Sequence, residues 1–318
     1  MRDRQLTIPF TSRIAAMHSA VWSLDRGYRL WWYIWPTSIA LLICGWIYVE
    51  KPVSTTVSSA RREATASSAS AATRTASGSP VVAKPLEQQS AWPEKLLADA
   101  RICRNDALSS GAIIEACTRL IESGLLDERK LVAAYSQRGI HSAITQPDRA
   151  LADYDGALKI QPDNPSILTD RGWINLDRNR AVAGLADLNK AIGLLEYSAS
   201  ARARLYRASA FLMLKDLDKA ISDLDESQKI DPTSRLLYLT RGDVEFAQKH
   251  YDAALRDYDE FSRRSPDLGD GLLGRGLVLE QTGHRAEALR AIESALKLDP
   301  TNSEAVAARE RLRSAGGR

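Results

Sequence analysis

A chain of 318 residues with a formal net charge of +3 has room for about two ordinary domains of 100 to 200 residues, but its charge is spread unevenly. Residues 1–30 carry five Arg against two Asp, residues 51–92 five Lys or Arg against two acids, and residues 93–318 carry 33 basic against 35 acidic side chains. The near-neutral foldable part lacks the electrostatic footprint of a nucleic-acid binder, so no nucleic acid is expected as a partner.

Residues 1–29 read as a short basic tail. From Leu30 to Val49 the sequence LWWYIWPTSIALLICGWIYV runs twenty residues without a charge, enough at about 1.5 Å per residue to span the roughly 30 Å of bilayer hydrocarbon. Trp31, Trp32, Tyr33 and Trp35 crowd one end and Trp46 and Tyr48 the other, as expected of rings at headgroup level. Pro36 falls in the first turns, where a missing backbone donor costs least. The expectation is a transmembrane helix over residues 30–49 that contacts the lipid bilayer. A buried helix of a soluble domain would not need apolar character all round. A cleaved signal peptide usually has a shorter apolar core nearer the start, so an uncleaved anchor is the reading adopted.

Arg13, Arg26 and Arg29 before the span balance Lys51, Arg61 and Arg62 after it, so basic residues alone do not orient it. The short basic tail and a cysteine pair downstream favour a cytoplasmic N-terminus and an exported C-terminal part. Residues 50–92 are dominated by Ser, Ala and Thr with scattered Pro. Such a segment cannot bury enough surface to offset its ordering entropy. It is expected to be a disordered tether with an average reach of about 35 Å.

From residue 131 to 300 one pattern returns at a nearly fixed period. Ala150, Gly184, Ala220, Ala254 and Ala288 are spaced 34, 36, 34 and 34 apart, with Ala157, Ala191, Ser227, Phe261 and Ala295 seven residues further on. Between them stand Tyr154, Leu188, Leu224, Tyr258 and Ile292, and upstream lie Gly139, Gly172, Ala208, Gly242 and Gly276. Pro162, Pro232, Pro266 and Pro300 close four of the five units. Each unit reads as two short amphipathic helices, with small residues where they cross, a large residue beside them, and proline stopping the second helix. One hairpin cannot bury its apolar face alone, whereas stacking several does so continuously.

These residues resemble the tetratricopeptide repeat, with units at about 131–164, 165–200, 201–234, 235–268 and 269–302. The resemblance implies an all-α, right-handed superhelical solenoid of stacked helix-turn-helix hairpins. The departures are a first inter-helix turn one residue short around Pro147, Glu196 in place of proline with two extra residues following, and Phe261 in place of a small residue. Residues 93–130 read as a degenerate first hairpin holding Cys103 and Cys117. Those cysteines are either a bridge closing a loop of about 15 residues, worth roughly 3 kcal/mol, or two buried thiols. Residues 303–318 read as a capping helix and tail, with Ser303 as N-cap. The Ala- and Arg-rich repeats suggest a bacterial source, and hence a single-pass protein of a bacterial inner membrane.

Arginine precedes the small residue of every first helix, at Arg138, Arg171, Arg207, Arg241 and Arg275, and the second helices carry Asp153, Asp187, Asp223 and Asp257, with Ala291 breaking the series. This ladder reads either as ion pairs within each hairpin or as an arginine row open to acidic partner groups. GDGLLG at 269–274 formally matches a phosphate-binding fingerprint, but that motif works only after a strand. The four histidines have no metal-ligand spacing, and no nucleophile motif occurs, so no catalysis, cofactor or metal is expected.

The resemblance implies that the inner face of the first helices binds segments of protein partners. On family geometry its residues include Gln137, Ile140, Asp170, Trp173, Leu205, Tyr206, Asp243, Phe246 and Leu277. Trp173, Tyr206 and Phe246 are either anchors or packing between hairpins. The expected function is that of a membrane-tethered adaptor; the alternative is a self-associating scaffold on the membrane.

Overall fold

A computed structural model describes residues 93–314. The basic tail, the expected membrane span 30–49, the linker as far as residue 92 and residues 315–318 lie outside the described residues. Among those described, no helix is long and apolar enough to cross a membrane.

The 3.6-residue periodicity becomes thirteen α-helices and one 3₁₀ turn, with no strand among the described residues. They are α1 (Glu94–Cys103), α2 (Ser110–Glu122), α3 (Glu128–Ser142), α4 (Pro147–Ile160), α5 (Pro165–Asp177), α6 (Ala181–Leu194), α7 (Ala201–Met213), α8 (Leu217–Ile230), α9 (Arg235–Ala247), α10 (Tyr251–Arg264), α11 (Asp270–Gln281), α12 (Arg285–Leu298) and α13 (Ser303–Ser314). Consecutive helices pair as hairpins, and each hairpin lies on the next chiefly through its second helix. The 3₁₀ turn Tyr197–Ala199 takes up the two extra residues before α7.

Local chemistry fixes the helix ends. Pro147 and Pro165 open α4 and α5, where a missing N–H is harmless and φ is already helical. Asp127 and Asn164 cap α3 and α5 by accepting from the backbone N–H of Lys130 and Ile167. The cap of α13 is Asn302, not Ser303: Asn302 Oδ1 accepts from Ala305 N at 3.0 Å, so the cap stands one residue earlier than the sequence reading placed it.

First helices of four hairpins end on a left-handed residue, at Asn179, Lys215, Lys249 and Gly283, with φ of 57°, 61°, 64° and 83°. The following N–H then reaches back along the last turn to a carbonyl, as His250 N does to Glu245 O at 2.9 Å. The hairpin of α3 and α4, whose turn is one residue short, has no left-handed residue there.

Where the helices of a hairpin cross, the small residues allow backbones to meet. A methyl group on Gly184 would lie 2.8 Å from Gly172 O. The large residues Tyr154, Leu188, Leu224, Tyr258 and Ile292 are all fully or almost fully buried beside these crossings. Phe261, out of pattern in a small position, is accommodated because α11 presents Gly271, whose Cβ would sit 2.9 Å from the Phe261 ring. That observation also explains GDGLLG. Gly274 lies against the ring of Tyr258 and Gly269 against Ala295 O, so its glycines serve close packing of α11 on its neighbours.

Candidate protein-binding surface and arginine ladder

Each of the first four ladder arginines grips the aspartate of its own hairpin with two parallel hydrogen bonds. Nε and Nη2 of Arg138 donate to Asp153 at 2.9 and 2.6 Å, of Arg171 to Asp187 at 2.8 and 2.6 Å, of Arg207 to Asp223 at 2.7 Å each, and of Arg241 to Asp257 at 2.8 and 2.7 Å. The four aspartates are buried, and fork-to-fork geometry is the strong form of such a bond. The hydrogen bond to its aspartate raises the pKa of Arg138, Arg171 and Arg241 against the opposing effect of burial.

The third nitrogen does something the sequence did not announce. Nη1 reaches the second helix of the preceding hairpin, from Arg171 to Asp155 at 2.7 Å, from Arg207 to Asn189 at 2.8 Å and from Arg241 to Gln228 at 2.6 Å. Arg138 likewise donates to Thr118 on α2 at 3.1 Å. Each guanidinium is thus held between two successive second helices, joining one hairpin to the next. Asp155 and Asn189 both stand one residue after the buried large residue of their helix, whereas Gln228 stands four after its own, so spacing alone does not assign every acceptor.

The first hairpin reverses the polarity of the pair. Arg119 on α2 grips Asp99 on α1 through Nε at 3.0 Å and Nη2 at 2.7 Å, and that hydrogen bond lowers the pKa of Asp99 although burial opposes it. Cys103 and Cys117 are bonded to each other across the same two helices and are both buried. His141, on α3, meets Ser110 and Asp106 at 3.3 Å each, tying α3 to that hairpin.

The expected partner-binding residues occupy two environments. Trp173 and Tyr206, 6% and 9% exposed, lie with ring centroids 6.4 Å apart and belong to the core cluster joining their hairpins. Leu205 and Leu277 are also buried, and buried Asp243 accepts from Tyr258 Oη at 2.7 Å. Gln137, Ile140, Asp170 and Phe246 are half-buried and so reach the surface. Asp170 faces Arg202 at 3.2 Å, and Phe246 lies 6.0 Å from Tyr251 between ring centroids. The amide oxygen Oε1 of Gln137 is buried with no hydrogen-bond partner. Among the described residues no group of His, Cys, Asp and Glu is placed to hold a metal ion.

The profile of the family described as tetratricopeptide repeat matches residues 141–199, 193–235 and 239–303, together half of the protein. Among curated proteins, a Dictyostelium discoideum protein named STIP1 homolog is 30% identical over 98 residues, covering 31% of this chain and 17% of the relative. A DnaJ homolog subfamily C member 7 homolog of Schizosaccharomyces pombe is 28% identical over 188 residues, covering 59% of this chain and 35% of the relative. The chain therefore spans only about a third or less of these relatives. Among solved structures, PilW, described as a type IV pilus biogenesis factor, superposes with a TM-score of 0.56 at 19% identity, over 68% of this chain and 98% of that one. At that identity the likeness concerns the fold.

Proposed function

This protein belongs to the tetratricopeptide repeat family, and on that premise we propose that it is an adaptor whose first helices bind segments of other proteins. The observation that carries this reading is the row of half-buried side chains that the first helices bring to the surface, beginning at Gln137 on α3. Ile140, Asp170 and Phe246 continue the same face along α3, α5 and α9, giving the segment apolar contact and one acidic position. Trp173, Tyr206, Leu205 and Leu277 support that face from beneath. The stack winds as a right-handed superhelix, with the first helices on its concave side.

The array is tethered to a membrane by residues 30–49 through the linker 50–92. The uncharged length and terminal aromatics of that span support the anchor, and the Cys103 to Cys117 bond supports an exported array, since disulfides persist in oxidising compartments. A bacterial inner membrane is the setting this implies. The protein performs no catalysis in this reading.

Site-directed photocrosslinking in cells distinguishes the surfaces. A photoreactive residue at Gln137, Ile140 or Phe246 is expected to trap discrete protein partners, and the same residue at Lys159 or Lys190, exposed on the second helices α4 and α6, is expected to trap none of them. Crosslinks confined to the second-helix positions would overturn the reading.

A further inference from the structure

The fifth ladder arginine differs from the other four. Arg275 makes the bond to the preceding hairpin, Nη1 to Asp259 Oδ1 at 2.9 Å, so its guanidinium is oriented as in Arg171, Arg207 and Arg241. Its own hairpin has no carboxylate at the ladder position, because the residue 34 positions after Asp257 is Ala291. Among the described residues Nε and Nη2 of Arg275 therefore have no acceptor, and its side chain is 44% exposed against 11% to 25% in the other four.

The series continues one step beyond the five units. Arg309 stands 34 residues after Arg275 and occupies the seventh position of α13, as Arg171, Arg207 and Arg241 do in α5, α7 and α9. No second helix follows α13 among the described residues, and Arg309 Nε is buried without a partner. The last two steps of the ladder thus carry guanidinium donors that the earlier steps satisfy with carboxylates.

We propose that the fork of Arg275, between α10 and α12, is a carboxylate-binding site filled by an acidic side chain or a free C-terminal carboxylate of another protein. Four sister sites show the geometry that a carboxylate adopts there. Nη1 is already fixed, so little ordering remains for the ligand to impose. Asp259 lies on the other edge of the same guanidinium and disfavours a doubly charged phosphate relative to a singly charged carboxylate. The site faces out between second helices and is separate from the first-helix surface proposed above.

Arginine-selective modification by phenylglyoxal, read residue by residue by mass spectrometry on the full-length protein, tests this. Arg275 is expected to react severalfold faster than Arg171, Arg207 and Arg241, and Ala291→Asp, which places the missing carboxylate within the hairpin, is expected to bring it down to their rate. Two probes separate the ligand sources: a tripeptide of glutamate with both ends blocked, and a triglycine with only its C-terminal carboxyl free. Saturating protection of Arg275 by either one, severalfold in the wild type and absent in Ala291→Asp, supports the site and names its source. Equal reactivity of all the ladder arginines, protection by neither probe, or stronger protection by inorganic phosphate than by both peptides would overturn it.

Discussion

Asp223 sits 2.7 Å from both Nε and Nη2 of Arg207 and 3.6 Å from Arg204 Nη1, so a single carboxylate on α8 is clamped by two arginines of α7. The side chain is 6% exposed. Removing it leaves two cations facing each other with no counter-charge between them. Asp223→Ala is expected to cost about 3 kcal/mol, as breaking a buried ion pair does, measured by urea unfolding followed by circular dichroism. Asp259→Ala removes an exposed partner and should cost well under about 1 kcal/mol. Equal effects of the two substitutions would mean that the ladder contributes nothing through burial.

A second prediction concerns the left-handed turns. Lys215 and Lys249 hold φ of 61° and 64°, where Gly283 stands in the corresponding turn at 83°. A side chain in that region is strained, and glycine is not. Lys249→Gly is expected to stabilise the fold by about 0.5 to 1 kcal/mol even though it adds freedom to the unfolded chain. Gly283→Ala should destabilise it by a similar amount. The midpoint of thermal unfolding reads both, and a fall in Lys249→Gly would contradict the assignment of strain.

What the sequence made legible follows from which interactions have a fixed spacing. The hairpins were readable because small residues must recur wherever two helices cross, and the aspartate of each pair because it stands one residue before a buried large one. The bonds from one hairpin to the next were legible only in part. Asp155, Asn189 and Asp259 share one register, directly after the buried large residue, but Arg241 bonds Gln228 although Asp225 holds that register in its neighbour. Arg309 was hidden for another reason: Glu310 follows it where the other units have glycine or alanine, so the pattern seemed to end. Among the residues that family geometry places on the inner face, aromatic character singles out Trp173 and Tyr206 as anchors or as packing between hairpins. That character does not separate a surface anchor from a core residue, and both are buried between hairpins.

A pH prediction follows from Glu260. Its carboxylate accepts from Arg263 at 2.8 and 2.6 Å and from Arg264 at 2.6 Å, and these hydrogen bonds, Arg263's first, pull its pKa down to about 2. A carboxyl whose pKa is depressed on folding contributes its stability above the unfolded value of about 4.3. That contribution is lost as pH falls from there toward about 2. Carboxyl-carbon NMR should show Glu260 still ionised at about pH 3, with its midpoint rising in Arg263→Gln and in Arg264→Gln. A midpoint at the ordinary glutamate value in the wild type would mean that these pairs do not persist in solution.

The bond between Cys103 and Cys117 links the least repeat-like hairpin, α1 and α2, 14 residues apart in sequence. Both cysteines are buried, so burial alone would shield free thiols as well as bonded ones, and an alkylation test must be made on unfolded protein. After rapid denaturation without reductant, neither cysteine is expected to be alkylated, and prior reduction should expose both. Cys103→Ser is expected to lose about 3 kcal/mol, the entropy of a loop of this size. The loss should appear as early hydrogen exchange in α1 and α2, while α5 to α12 keep their protection, because each hairpin touches only its neighbours. The same protein carrying a reporter after Arg318 that is active only outside the cytoplasm tests the compartment independently. Reporter activity together with an intact bond supports export of the array. Free thiols and an inactive reporter would place the array on the cytoplasmic side and remove the argument for export, while leaving the fold and the first-helix surface as they stand.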